Sequence, residues 1–248
     1  MERFKDKIVV ITGAGSGIGR STALRLDSEG ATCIIVDINE SQLEETLAMM
    51  SNSKSSSKVL DISSIEDSKT CFKDIRESYK KLDALINIAG ILRFDNSHEV
   101  QIEDWNKILN INLTGTFFMC SHALPMLLES KGAIVNVSST AALGAHAWTA
   151  AYSASKGGIS AFSKTLAVEY GMKGLNINCV CPASIETPMS TNPIMPKDID
   201  TRLLKKIMPL DGVNRSPDDI ASTIAFLASD DAIHINGIDL RVDGGLLT

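Results

Sequence analysis

The chain reads as an α/β protein built on a doubly wound parallel sheet with helices on both faces. Short β-branched runs alternate with longer amphipathic stretches along nearly its whole length. Those runs are apolar throughout rather than alternating, as strands covered by helices on both sides are. A glycine-rich turn joins the first run to the first amphipathic stretch, where α/β proteins often hold a nucleotide. At 248 residues a chain buries roughly three quarters of its unfolded surface, so the fold needs no disulfide or metal staple.

The elements are expected in this order. Ile8–Thr12 is a first strand, and 18–29 a helix closed by Gly30. Residues 32–36 form a second strand, and Ser41 caps a helix running to about Met50. The serine-rich stretch 51–57 is a polar surface loop, after which 58–61 resumes as a strand. A helix over 65–79 precedes a strand at 84–88, and a long helix covers roughly 103–128. The apolar run 133–138 is a strand, followed by a helix carrying Tyr152. Strand 177–180 leads into an irregular segment to Arg215. Ser216-Pro217-Asp218-Asp219 opens a helix with a cap residue, a proline at the first helical position and acids in the first turn. A last strand spans 238–242. No composition shift marks a second domain, so 1–248 is expected to be one.

A hydrophobic content of 44% and a charged content of 22% are ordinary for a soluble globular protein. The net charge of −6 and the lack of a dense basic run argue against a nucleic-acid partner. The charged N-terminus leads straight into a strand and no apolar run approaches the length of a membrane span, so no membrane role and a cytoplasmic location are expected. Cysteines 33, 71, 120, 179 and 181 are an odd, scattered set, expected as buried free thiols in a reducing compartment. Cys179 and Cys181 are expected to face opposite ways from one strand, and no metal site is expected.

Chemistry enters at three places. After the first strand comes Thr12-Gly13-Ala14-Gly15-Ser16-Gly17-Ile18-Gly19, whose spacing does not fit the ordinary G-x-G-x-x-G pattern. Its glycines allow a tight turn and close approach of the backbone to a pyrophosphate at the helix N-terminus. Asp37 ends the second strand, where a carboxylate accepts hydrogen bonds from both ribose hydroxyls and repels a 2′-phosphate; neither Ser16 nor Ile38 supplies a compensating cation, so NAD is favoured over NADP. Asp61 at the end of strand three reaches the adenine edge or serves a turn. Tyr152 and Lys156 are four apart and share a helix face. A neighbouring ammonium favours the phenolate and draws the tyrosine toward a pKa useful for exchanging a proton with an alcohol. Ser139, thirteen residues earlier at a strand end, offers a hydroxyl to a substrate oxygen.

Taken together these motifs resemble the short-chain dehydrogenase/reductase family over essentially all 248 positions. Residues 12–19 are similar to its T-G-x-x-x-G-x-G turn, Asn87-Ile-Ala-Gly90 to its N-N-A-G, Asn112-Leu-Thr-Gly115 to its N-x-x-G, and Ser139 with Tyr152-x-x-x-Lys156 to its active site. The resemblance implies a Rossmann-type sheet in the order 3-2-1-4-5-6-7, with the site at the carboxyl ends of the strands. It implies Tyr152 as general acid/base and Ser139 as the group that polarises the substrate oxygen. Lys156 would lower the Tyr152 pKa and hold the nicotinamide ribose, and Asn112 would anchor a water chain. Gly13, Ser16, Gly17, Ile18, Asp37, Asp61, Ile62, Asn87, Ala89 and Gly90 would line the cofactor groove. Pro182, Ile185 and Thr187 belong to the loop that grips the nicotinamide. Two positions depart from the pattern: Ile88 replaces an asparagine, and Ala183 a glycine, with loss of positive-φ freedom.

Substrate contacts are expected from 91–94, 140–148 and the segment after Thr187, with Arg93, His146, Trp148, Met189 and Met195 the named candidates beside Ser139 and Tyr152. The stretch 188–215 is methionine- and leucine-rich and reads either as a mobile lid over an apolar ligand or as the buried face of short helices. The expected reaction is NAD-linked interconversion of a secondary alcohol and a ketone, on a hydrophobic substrate such as a steroid, terpene or cyclic alcohol. A 3-oxoacyl-(acyl carrier protein) reductase, a polyol or sugar dehydrogenase, and a non-catalytic dinucleotide-binding protein are the alternatives. Family resemblance also implies a homotetramer, in which Phe117, Phe118, Phe162, Leu166 and Val168 would supply surplus apolar surface.

Overall fold

A computed structural model describes residues 2–248 apart from Asn192 and Asp198, both inside the expected lid, and the side chain of Lys205. Seven parallel strands form one sheet in the order β3-β2-β1-β4-β5-β6-β7. They are β1 (Ile8–Thr12), β2 (Thr32–Asp37), β3 (Ser56–Val59), β4 (Ala84–Asn87), β5 (Ala133–Val137), β6 (Asn176–Pro182) and β7 (Asp239–Val242). Order and direction are those implied by the motifs.

Alternation along each strand sends residues to two separate cores. Val9 and Ile11 pack with Leu26 of α1 (Gly17–Ser28), Leu43 of α2 (Glu40–Met49) and Ile224 of α7 (Pro217–Leu227). Val10, Ile34 and Val36 pack on the other face with Phe72 of α3 (Ile65–Tyr79), Met119 of α5 (Thr116–Ser130) and Leu166 of α6 (Ala150–Gly171). Burying both faces of β1, β2 and β4 is why those runs are apolar at every position.

Several boundaries differ from the sequence reading for identifiable reasons. The cap of α2 is Asn39, whose side chain accepts from the Gln42 amide at 3.1 Å, and not Ser41, which lies inside the helix. Strand β3 begins at Ser56, pairing with Ile34, and ends before Leu60. As an edge strand it needs no apolar residue on both faces, so the serines that read as loop enter the ladder. The long helix is α4 (Ile102–Ile108) and α5 joined by a π-helical segment, Leu109–Gly115, that carries Asn112. Part of the irregular stretch is a 3-10 segment, Thr201–Ile207. Ser216 does cap α7, accepting from the Asp218 amide at 3.2 Å.

All five cysteines are buried and unpaired. Cys179 and Cys181 pack together with Ile159, so the expectation of opposite faces was a miscount: residues two apart in a strand share a face. Among the described residues no cluster of His, Cys, Asp or Glu could hold a metal. Ile102–Ser130 is long and apolar enough by composition to cross a membrane, but half of its most apolar stretch is buried within the protein. Leu166, expected as surplus surface, is a core residue with 7% exposure, whereas Phe117 and Val168 do stand out at 40% and 83%.

Candidate active site

The carboxyl ends of β1 and β4 come together through backbone. The Thr12 hydroxyl accepts from the amides of Ile88 and Ala89 at 3.1 and 3.2 Å. Gly13 takes φ +69°, and a Cβ there would lie 2.8 Å from the Ala89 backbone. Only glycine meets both demands. A Cβ on Gly19 would collide with the Gly13 carbonyl, which holds α1 tight against the turn. Above this junction opens a cavity of about 680 Å³.

At one end of the cavity lie Gly13, Ser16, Gly17, Ile18, Asp37, Asp61 and Ile62. Asp37 accepts from the Gly15 amide through Oδ2 and from the Asn39 amide through Oδ1, both at 3.0 Å, which fixes the carboxylate while leaving lone pairs free. The nearby cation Arg20 does not line the cavity; it bonds the Gly15 carbonyl at 2.6 Å, Thr46 at 3.0 Å and Glu45 at 2.8 Å. Asp61 serves a turn, its Oδ1 accepting from the Ser63 amide and hydroxyl at 2.9 and 2.7 Å, and it also lines the cavity.

Ala89, Gly90, Ser139, Tyr152, Lys156, Pro182, Ile185 and Thr187 line the same cavity further along. Asn87 does not, although it was expected to. Its side chain turns into the interior, 3% exposed, donating to Asn136 at 2.8 Å and to the Cys120 sulfur at 3.2 Å, and Ile88 takes its place on the wall. Asn136 in turn donates to Ser163 at 2.8 Å, and Ser138 donates to the Lys156 carbonyl at 2.9 Å. This buried chain of polar contacts links β4 and β5 to the helix that carries Tyr152 and Lys156. Ala183 does not adopt a positive φ, so the residue that replaces the family's glycine causes no strain there.

Asn112 is fully buried, and both its donors and one lone pair of Oδ1 are engaged within the protein. Oδ1 accepts from the Ile91 amide at 2.8 Å, while Nδ2 donates to the Ile91 carbonyl at 2.9 Å and to Ser155 at 3.1 Å. A water-chain role for this residue would have to use the second lone pair of Oδ1 or its backbone carbonyl. What Asn112 does is bind the chain leaving β4 to α6, from inside the π-helical segment.

Lys156 is 3% exposed and donates to the Val137 carbonyl at 2.7 Å, with Nζ 5.7 Å from the Tyr152 ring centroid. Burial pulls its pKa down to about 8. The Tyr152 hydroxyl moves the opposite way from the expectation. Desolvation pushes it up and outweighs the hydrogen bond with Ser139, which pulls it down. An ammonium that is itself losing charge to burial does not offset the loss of water around the phenolate.

Of the expected substrate contacts, His146 and Met189 line the cavity and Arg93, Trp148 and Met195 do not. Arg93 points outward to Asp95 at 2.7 Å and Asp104 at 3.1 Å, while its neighbours Leu92 and Phe94 face in. Trp148 serves through its backbone: at φ +63° its carbonyl accepts from the Asp95 amide at 2.8 Å. Met195 is half-buried off the wall, which Pro193, Ile207 and Met208 form instead. Leu92 and Phe94 lie in the expected 91–94 stretch and Asn214 in the expected lid, but neither they nor Thr12 were singled out as site residues. Thr12 alone had a usable signal, as the first residue of the glycine motif.

Comparison with known proteins agrees with this architecture. A family profile described as "Enoyl-(Acyl carrier protein) reductase" matches residues 13–247. A 3beta-hydroxysteroid dehydrogenase from Mediterraneibacter gnavus is 36% identical over 270 residues, covering 100% of this chain and 97% of that protein. The chain belongs to the short-chain dehydrogenase/reductase family. It is an oxidoreductase of that family. A meso-2,3-butanediol dehydrogenase from Serratia marcescens is 34% identical, covering 98% of this chain and 95% of that one. The crystal structure of a carveol dehydrogenase from Mycobacterium avium in complex with NAD superposes with a TM-score of 0.91 at 27% identity, covering 100% of this chain and 99% of that one.

The buried lysine makes stability depend on pH in a defined direction. An unfolded lysine keeps its proton to about pH 10.4, whereas Lys156 in the fold releases it near 8. Between those values the unfolded chain binds more protons, so this residue makes stability rise with pH; below 8 its destabilisation is fully present. Urea titrations should therefore show wild type gaining on Lys156→Met between pH 7.5 and 10, by up to about 2–3 kcal/mol. Parallel stability curves would show that Lys156 is not desolvated.

Proposed function

We propose that this protein is an NAD-dependent dehydrogenase interconverting a secondary alcohol and a ketone on a hydrophobic skeleton. One observation carries the reading: Ser139, Tyr152 and Lys156 share a single cavity with the glycine turn and Asp37. A dinucleotide laid from Asp37 to the 182–187 loop would bring its nicotinamide to the tyrosine. Bound NAD would supply the hydride acceptor. The cavity residues fit it: backbone at Gly13, Ser16, Gly17 and Ile18 approaches a pyrophosphate, Asp37 accepts from a ribose diol, and Asp61 and Ile62 flank the adenine. Ala89, Gly90, Pro182, Ile185 and Thr187 then border the nicotinamide half, with Lys156 donating to its ribose. The carveol dehydrogenase complexed with NAD supports this choice of cofactor.

In alcohol oxidation Ser139 holds the substrate hydroxyl and Tyr152, as phenolate, takes its proton; in ketone reduction the phenol returns one. Because burial raises Tyr152 in the free protein, the phenolate must be favoured by what binds beside it, and Lys156 contributes only while charged. Leu92, Phe94, Pro188, Met189, Ile207 and Met208 give the substrate end an apolar wall. We read the described part of 188–215 as a lid over that end. The five unpaired thiols accord with a cytoplasmic location.

Tyr152→Phe should lower kcat on any accepted secondary alcohol by at least about a thousandfold and leave NAD affinity within about twofold. Steady-state kinetics and nucleotide-fluorescence titration read the two separately; substantial turnover by the variant would sink the chemistry. Asp37→Ala with Ile38→Arg should move preference from NAD toward NADP, since it replaces a carboxylate by a cation where a 2′-phosphate would sit. Wild-type protein that already prefers NADP would show the Asp37 reading to be wrong.

A homotetramer is part of the same reading. Phe117, stacked edge-on with Phe118 and Phe162, and Val168 and Met172, at 83% and 98% exposure, leave apolar surface along α5 and α6. Light scattering at micromolar concentration should give four times the monomer mass, and a stable monomer would overturn the assembly.

A further inference from the structure

Most polar atoms of the cavity already have partners inside the protein. Ser139 Oγ accepts from the Ala141 amide at 3.1 Å, Lys156 holds the Val137 carbonyl, and both oxygens of Asp37 bind amides. Two cavity-lining side chains carry a buried polar atom that breaks this pattern. Among the described residues, no donor or acceptor reaches His146 Nε2 or Asn214 Oδ1, and both atoms are buried.

Neither residue is positioned loosely. Thr149 donates to the His146 carbonyl at 3.0 Å and pairs with Ser153 at 2.9 Å, so the base of the loop is tied to the start of α6. Asn214 precedes Arg215, which bridges to Ile185 and whose carbonyl accepts from the Glu186 amide at 2.9 Å. The two atoms therefore come from two separately anchored segments, one tied to the start of α6 and one to the chain after β6. A buried polar atom without a partner costs about 1–3 kcal/mol, and native folds rarely leave one without a purpose. Burial also pushes His146 below its ordinary pKa, so the ring is a neutral imidazole offering one donor or acceptor at Nε2. Asn214 Oδ1 can only accept.

We infer that His146 and Asn214 read a second oxygen function of the substrate, one that includes a hydroxyl and lies away from the reacting carbinol. This rests on the reading that Ser139 and Tyr152 hold the reacting oxygen. The substrate class narrows accordingly from a hydrophobic alcohol to a diol or hydroxy-ketone on a hydrophobic skeleton. A hydroxyl is the complementary group, since its one proton goes to Asn214 Oδ1 while its oxygen accepts from the imidazole in the Nε2–H tautomer.

The test compares NAD-linked oxidation of matched alcohols at two sizes: cyclohexanol against trans-cyclohexane-1,4-diol, and 5α-androstan-3β-ol against 5α-androstane-3β,17β-diol. In at least one pair wild type should favour the diol in kcat/KM by about tenfold, the worth of one well-made hydrogen bond. His146→Phe and Asn214→Leu should each bring that ratio toward one, leaving kcat/KM for the mono-alcohol within about twofold and NAD affinity unchanged. His146→Gln, which restores a polar atom, should recover part of the preference.

Equal kcat/KM for mono-alcohol and diol in both pairs would overturn the inference while leaving the dehydrogenase reading intact. So would a His146→Phe protein that loses mono-alcohol and diol turnover alike, because His146 would then act at the reacting oxygen. Weakened NAD binding in Asn214→Leu with the diol preference intact would assign that atom to the cofactor and overturn its part. Turnover of none of the four alcohols by wild type would overturn the inference outright, and Tyr152→Phe kinetics on an alcohol panel would then decide the dehydrogenase reading separately.

Discussion

Backbone lies against backbone where β1 ends and β4 ends, with no room for one methyl group between Gly13 and Ala89. Everything at the carboxyl edge depends on that contact. The chain leaves β1 for one face of the sheet and β4 for the other, so a crevice opens between the two departures. Thr12 holds its floor with a single hydroxyl that accepts two amides. Had the two strands been spaced by ordinary side chains, the phosphate-facing turn and the nicotinamide wall would belong to separate surfaces.

The catalytic helix is held to this floor by polar groups in a nonpolar interior. Asn87, Asn136 and Ser163 form one line of hydrogen bonds, and Asn112 and Ser155 another. Such bonds contribute little net stability but fix geometry, because each partner left unmet would carry the full desolvation penalty. Lys156 is the costly member: an amine in the interior whose one protein hydrogen bond goes to a carbonyl. Its lowered pKa and the raised one of Tyr152 have the same origin, the removal of water from both. Between them they make the free protein a poorer base than spacing on a helix implies, and bound cofactor and substrate must complete the electrostatics.

Sheet order, the glycine turn, Asp37 and the Ser139, Tyr152, Lys156 set were legible in the chain, because each depends on local spacing that survives into three dimensions. What misled was environment. Asn87 belongs to a motif that borders the groove, yet its side chain turns inward, since alternation at a strand end assigns one residue to the wall and the next to the core. Arg93 failed for the same reason beside Leu92 and Phe94. The Tyr152 shift reversed because sequence shows the neighbouring charge and conceals the burial. Asn214 lay within the expected lid but could not be singled out: its place on the wall follows from the backbone bridge between its neighbour Arg215 and Ile185, a contact between segments that nothing in either one announces.

The five thiols lie on β2, α3, α5 and β6, sampling both cores and much of the width of the sheet. Desolvation holds Cys71 and Cys181 up to about 11 and Cys120 and Cys179 up to about 12, and it raises Cys33 as well. Thiolate, the form that reacts, is thus scarce in the native state at neutral pH, and the sulfurs are shielded besides. A small alkylating reagent consequently finds them only when the surrounding layer opens. The molecule carries its own set of opening reporters, one each on β2, α3 and α5 and two on β6, and the order in which their masses shift during a slow alkylation would map which part of the sheet lets go first.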